Sequence, residues 1–319
     1  MLSTASRLSG AGVMVVLLAL SAGAQPGSAL PPLPELRFAE IPAASQSRYA
    51  GDRFSYMEAG NPGAFPVVLL HGAGGNSMHW RFQLAGLSDR YHVIAWNAPG
   101  YMLTDNFVKD APGCRDYADA LNDFVGALRL ERFHLIGQSS GTRVAECYVI
   151  HYPGRVARLA LIGTLITGPG LPRNASTEAR TRLVAAREQS IAGGGYAFGS
   201  QRARLAGLLG SAASAEVTAA EQDAQRATDR RGFVQWSRFE AFDDTYAPAL
   251  GDRFTMPVLL VKGSEDKAAP ADQHDAILIK ALPHARQEIV QGSAHLVEVT
   301  APTRVNDLLR AFFAGRTLP

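Results

Sequence analysis

Residues 133–142 read FHLIGQSSGT, and the fold turns on how this stretch is read. Phe133, Leu135 and Ile136 form the short apolar run of a buried strand, and Val144 to His151 continues at helical spacing. Between them Gly137-Gln138-Ser139-Ser140-Gly141 supplies Gly-x-Ser-x-Gly. Strand, sharp turn and helix together make that pattern a nucleophile elbow. Ser139 must then hold a strained backbone with its hydroxyl exposed, and side chains at 137 and 141 would collide with the neighbouring strand and helix. The N–H of Ser140 would point at an oxygen that becomes negative during acyl transfer. A plain turn is the bland alternative in a chain with 31 glycines; the flanking strand and helix argue against it.

Outward from the elbow, strands alternate with helices. Arg53 to Ala59, Pro66 to Leu70, Tyr91 to Trp96, Val156 to Ile162, Met256 to Val261 and Gln287 to Val290 read as strands. Trp80 to Leu87, Asp116 to Leu128 and Arg304 to Phe313 read as helices, the second with Ala120, Phe124 and Leu128 on one face. Fully apolar strands separated by helices imply a parallel sheet covered on both sides. Catalytic groups in such sheets gather at the carboxyl ends of the strands. The strand ending at Leu70 runs into His71-Gly72-Ala73-Gly74-Gly75, small residues that let backbone N–H groups approach a ligand. Ala73 N–H is the candidate second oxyanion donor. Neither a Lys-Ser/Thr ending nor a full G-x-G-x-x-G supports a phosphate loop instead. His71 lies too close to the strand end for a base and reads as a brace of the loop.

These residues make the sequence resemble the α/β-hydrolase superfamily from about residue 50 to the C-terminus, across a variable middle. His71-Gly72, Asn97-Ala98-Pro99-Gly100-Tyr101, the elbow, and Tyr152-Pro153 ahead of Val156 to Ile162 carry the resemblance. One loop departs from it: many relatives have Asp in place of Asn97 and Gly-x-Ser in place of Met102-Leu103-Thr104, which bears on local shape and substrate contacts. The resemblance implies an α/β-hydrolase fold, a mostly parallel central sheet flanked by helices, with a helical cap inserted after strand 6. It also implies the order nucleophile, acid, base. Asp266 stands where the superfamily's acid is usually found, with Glu265 as runner-up. Of the eight histidines, His295 follows the last strand on a loop and takes the base's place. A Ser nucleophile argues against the dehalogenase and epoxide-hydrolase branches, which form an ester on a carboxylate.

The middle segment, 164–252, is rich in Ala, Arg, Gln and Glu. Helical runs are expected near Glu178 to Ile191, Gln201 to Leu209, Ala215 to Ala227 and Phe233 to Phe242. As a cap it would roof the pocket and set substrate choice. Tyr101, Tyr196, Phe198, Trp236 and Phe239 are pocket candidates, each with ordinary aromatic core as its alternative. The core would comprise 48–163 and 253–319.

Residues 1–24 resemble a secretory signal, with Arg7 ahead of an apolar run from Val13 to Leu20 and Ala22-Gly23-Ala24 as cleavage site. The apolar run is too short to span about 30 Å of hydrocarbon, so no stable membrane anchor is expected after cleavage. Residues 25–34, QPGSALPPLP, read as loose and Pro-rich, within a lead-in that covers 25–47. Cys114 is expected in a loop and Cys147 on the helix after the elbow, which gives no reason to expect the Cα separation of under about 7 Å that a bond requires. No cluster has metal-ligand spacing, and no cofactor is expected. A formal charge of +2 is too small to suggest a nucleic-acid partner. Asn174-Ala175-Ser176 matches a glycosylation sequon, as chance also allows.

The expectation is therefore an exported serine hydrolase acting on a small-molecule ester or related acyl substrate through Ser139, His295 and Asp266. A C–C bond hydrolase, a lactonase, an amidase and a binding protein that keeps the triad but turns over little are the alternatives. Acyl and alcohol specificity, cap mobility and oligomeric state are not legible in the sequence.

Overall fold

A computed structural model describes residues 30–166, 176–191, 198–243, 245 and 251–319. Eight strands form one sheet in the order β1-β2-β4-β3-β5-β6-β7-β8. The strands are β1 (Leu36–Glu40), β2 (Arg53–Ala59), β3 (Pro66–Leu70), β4 (His92–Trp96), β5 (Phe133–Gln138), β6 (Val156–Ile162), β7 (Val258–Gly263) and β8 (Arg286–Val290). β3 to β8 run parallel, and β2 is antiparallel to both β1 and β4. β4, β5 and β7 are buried along their whole length, as expected for strands covered on both faces. The polar edge strand β8 discourages pairing with another sheet.

One face is covered by α2 (Cys114–Ala127), α3 (Ser140–His151) and α8 (Asp275–Ala281), whose buried residues join one apolar core. The other is covered by α1 (Arg81–Leu87) and α10 (Pro302–Phe313), which form the second. Within the lead-in 25–47, Leu36–Glu40 pairs with β2 as an edge strand.

Between β6 and β7 come α4 (Thr177–Ile191), α5 (Phe198–Leu209), α6 (Ala215–Arg226) and α7 (Arg230–Phe242). Ser214 and Asp229 cap α6 and α7 by accepting the N–H groups of Val217 and Gly232. The α7 C-terminus rests on Arg143 of α3, whose buried guanidinium donates to the carbonyls of Phe239 (3.2 Å), Glu240 (3.2 Å) and Asp243 (2.8 Å). A cation there satisfies orphan carbonyls and complements the helix dipole.

Cys114 departs from expectation. It is the first residue of α2, and its sulfur is bonded to Cys147 of α3 with a Cα separation of 5.4 Å. The lateral packing of α2 against α3 creates that proximity, and sequence spacing cannot show it. Asn174 and Ala175 of the glycosylation sequon and Tyr196 lie outside the described residues, and Phe198 is described for its backbone only.

Candidate active site

Ser139 sits at the C-terminal end of β5 with φ 52° and ψ −126°, a conformation that is rare for a side-chain-bearing residue and carries about 1–3 kcal/mol of strain. The elbow glycines make room for it. A Cβ on Gly137 would lie 2.6 Å from the Gly141 carbonyl oxygen, and one on Gly141 would strike the Leu70 and His71 carbonyls. Ser139 N–H donates to Ile162 O on β6 (2.8 Å), which fixes the turn against the sheet.

His295, on the loop after β8, places Nε2 2.8 Å from Ser139 Oγ and Nδ1 2.8 Å from Asp266 Oδ2. Asp266 follows β7, and its other oxygen accepts the N–H groups of Ala268 (3.0 Å) and Ala269 (2.9 Å). Burial alone would raise the Asp266 pKa. The His295 hydrogen bond and charge, the Ala269 N–H and the nearby Lys262 outweigh it and hold the carboxyl below its usual range. Glu265, the alternative acid, is exposed and outside this chain of bonds.

Lys262 was not singled out from sequence. Fully buried on β7, it donates to Thr164 O (3.2 Å) and Ala269 O (2.7 Å) and pairs with Asp275 Oδ1 (2.7 Å). It therefore ties the acid's loop to the end of β6. A lysine within an apolar strand, VLLVKG, is the signal that could have revealed it, since buried charges need partners.

The oxyanion candidates are arranged differently from expectation. Ser140 begins α3, and its N–H belongs to the group that a helix leaves without an internal partner. Ala73 N–H, however, donates to the hydroxyl of Ser140 (2.9 Å), which also accepts Nε1–H from Trp236 of α7 (2.8 Å). The hydroxyl thus links the loop after β3 to the inserted helices. His71 braces that loop as read from sequence. Its Nδ1–H donates to Gly72 O (2.8 Å) while Nε2 accepts Ala98 N–H (3.2 Å), and burial lowers its pKa to about 3.

A narrow cavity of about 20 Å³, roomy enough for about one water-sized group, lies at Ser139 and His295. Gln138, His79, Arg204, Glu221 and Gln225 give it polar walls beside Leu208 and Leu296. Tyr101 and Trp236 are not among its lining residues. With Phe239 they are fully buried, in the aromatic core shared by α2 and α7.

His79 is a second group that the sequence did not reveal. Nearly fully buried, it sets Nδ1 2.8 Å from Glu221 Oε2 on α6 and Nε2 2.6 Å from Glu298 Oε1 on the short helix α9 (Val297–Thr300). Burial would lower its pKa, but the two carboxylates overcome this and push it up to about 10. The imidazolium thereby joins the inserted helices to the turn that follows His295.

The mostly parallel sheet and the strand–turn–helix at Ser139 have a direct match among known families. A family model described as alpha/beta hydrolase fold covers residues 66–302. The chain belongs to the α/β-hydrolase family. Among similar proteins, a monoacylglycerol lipase of Bos taurus is 23% identical over 84% of this chain and 81% of its own. The (E)-2-((N-methylformamido)methylene)succinate hydrolase of Acinetobacter baylyi is 25% identical over 81% of this chain and 92% of its own. A thermophilic esterase from Thermogutta terrifontis superposes with a TM-score of 0.74 at 19% identity, covering 88% of this chain and 98% of that one.

Proposed function

We propose that this α/β-hydrolase is an exported serine hydrolase that cleaves a carboxylic ester through an acyl-enzyme on Ser139. The Ser139–His295–Asp266 chain, with both links at 2.8 Å, carries the reading. Serine is a poor nucleophile at neutral pH, and an imidazole with a pKa near ~6.5 is the base that can activate it. His295 Nε2 takes the Ser139 proton as Oγ attacks the ester carbonyl, then delivers it to the departing alcohol. Asp266 holds Nδ1–H in place and stabilises the imidazolium. Water, activated by the same His295, then releases the acid.

The developing oxyanion needs N–H donors, each worth about 2.7–4 kcal/mol of barrier. Ser140 N–H is the ready donor. Ala73 N–H joins it by turning from the Ser140 hydroxyl to the substrate oxygen. The monoacylglycerol lipase among the similar proteins supports an ester as the bond cleaved. The Cys114–Cys147 bond supports export to an oxidising compartment, as does the resemblance of residues 1–24 to a signal.

Two measurements test the proposal. Short-chain p-nitrophenyl esters should be hydrolysed by wild type and spared by Ser139→Ala; equal turnover by both would remove Ser139 from the reaction. The mature protein recovered from the exporting cell should begin after Ala24. Retention of residues 1–24 in the cytoplasm would overturn export alone.

A further inference from the structure

The walls of the cavity at Ser139 contain unmet hydrogen-bonding capacity of both signs. Gln138, the residue before the nucleophile, is 2% exposed, and its Nε2 has no hydrogen-bond partner among the described residues. Glu221 faces the same cavity from α6. One of its oxygens is engaged by His79 Nδ1, and no bond to the other is seen among the described residues. A buried unsatisfied donor costs about 1–3 kcal/mol, so such a group beside a nucleophile needs an occupant that accepts from it. A carboxylate oxygen lining the same cavity can accept from one that donates. An alkyl chain does neither, an ether only accepts and an ammonium only donates. A hydroxyl does both.

We propose that the cavity recognises a hydroxyl close to the scissile carbonyl, accepting from Gln138 and donating to Glu221, so that the preferred substrates are small hydroxylated esters rather than alkyl esters. The proposal rests on the serine-hydrolase reading above and names its substrate class. His79 acts here as a positioning residue. Held by Glu298 on its other nitrogen (2.6 Å), it engages one oxygen of the Glu221 carboxylate (2.8 Å) and leaves the second to the ligand. A site built to bond a hydroxyl discriminates against the analogue lacking it far more strongly than an apolar pocket discriminates by size, because the analogue leaves buried polar groups unpaired.

Matched ester pairs that exchange hydroxyl for methyl supply the test. On the acyl side, p-nitrophenyl 3-hydroxybutanoate is compared with p-nitrophenyl 3-methylbutanoate; on the alcohol side, 2-hydroxyethyl butanoate is compared with propyl butanoate. Each kcat/KM is divided by the ester's own hydroxide-catalysed rate. The hydroxylated member should be preferred at least tenfold in one pair, and that pair shows which side of the ester the cavity holds. Glu221→Gln should lower the preference at least fivefold, the hydroxylated ester losing more than its partner. A wild-type ratio near one in both pairs overturns the proposal without any variant and leaves the serine-hydrolase reading intact. Loss of turnover on all four esters, with Ser139 unreactive towards a fluorophosphonate, removes both.

Discussion

Replacing His79 by leucine probes how the inserted helices are held to the core. In the folded protein the imidazole lies between Glu221 and Glu298 at 2.8 and 2.6 Å, almost without solvent. Leucine of similar bulk would fill the space and leave two buried carboxylates without their cation. Breaking a buried pair from one side costs about 3–5 kcal/mol. Linkage gives a similar figure, since a histidine raised from about 6.5 unfolded to about 10 folded contributes at most about 5 kcal/mol. Protonation of one carboxylate in the variant caps the loss near the lower value. The sign follows from the raised folded pKa: the contribution is complete below pH ~6.5 and is lost as pH climbs to about 10. Urea unfolding with the disulfide intact should therefore show His79→Leu about 3 kcal/mol less stable than wild type at pH 6, with a smaller gap at pH 9.5, once that carboxylate has also lost its proton. A gap below about 1 kcal/mol at pH 6, or one that does not change with pH, would refute the buried-imidazolium account.

Replacing both Cys114 and Cys147 by serine should lower stability by about 4 kcal/mol in the chain-entropy model for a separation of 33 residues; denaturant midpoints with matched slopes measure it. Glu146, buried on α3, has its pKa raised by burial to about 8, so the folded protein keeps a proton that the unfolded chain releases above about 4.5. Wild-type stability should thus fall relative to Glu146→Gln between those values, by up to about 1.4 kcal/mol per pH unit; parallel pH profiles would contradict this. Asp266→Asn should preserve the fold and lower kcat by roughly 10⁴-fold through loss of the His295 tautomer, whereas Glu265→Gln should change it less than twofold, as steady-state ester hydrolysis would show.

What could be read from the chain was whatever local pattern determines. The apolar runs at Pro66–Leu70 and Phe133–Gln138 had to be buried strands, and the glycines at 137 and 141 mark close approach because a Cβ fits neither place. Asp266 and His295 follow the last two strands of a parallel sheet, and the structure brings His295 to Ser139 and Asp266 to His295. Illegible were features set by lateral packing between distant segments. The disulfide depends on how α2 lies against α3. His79 meets carboxylates 142 and 219 residues away, and no spacing rule reaches that far. Leu36–Glu40 has too short and too mixed a pattern to declare an edge strand. Tyr101 and Trp236 showed the opposite difficulty: large aromatics suit a pocket or a core equally well by composition, and burial assigns these two to the core.

Reaction with a fluorophosphonate, followed by mass analysis of the intact protein and its peptides, tests the central claim most directly. One phosphonyl group should be found per chain, on Ser139, with labelling abolished in Ser139→Ala and strongly slowed in His295→Ala. A label on any other residue, or a wild-type rate unchanged by His295→Ala, would contradict the account.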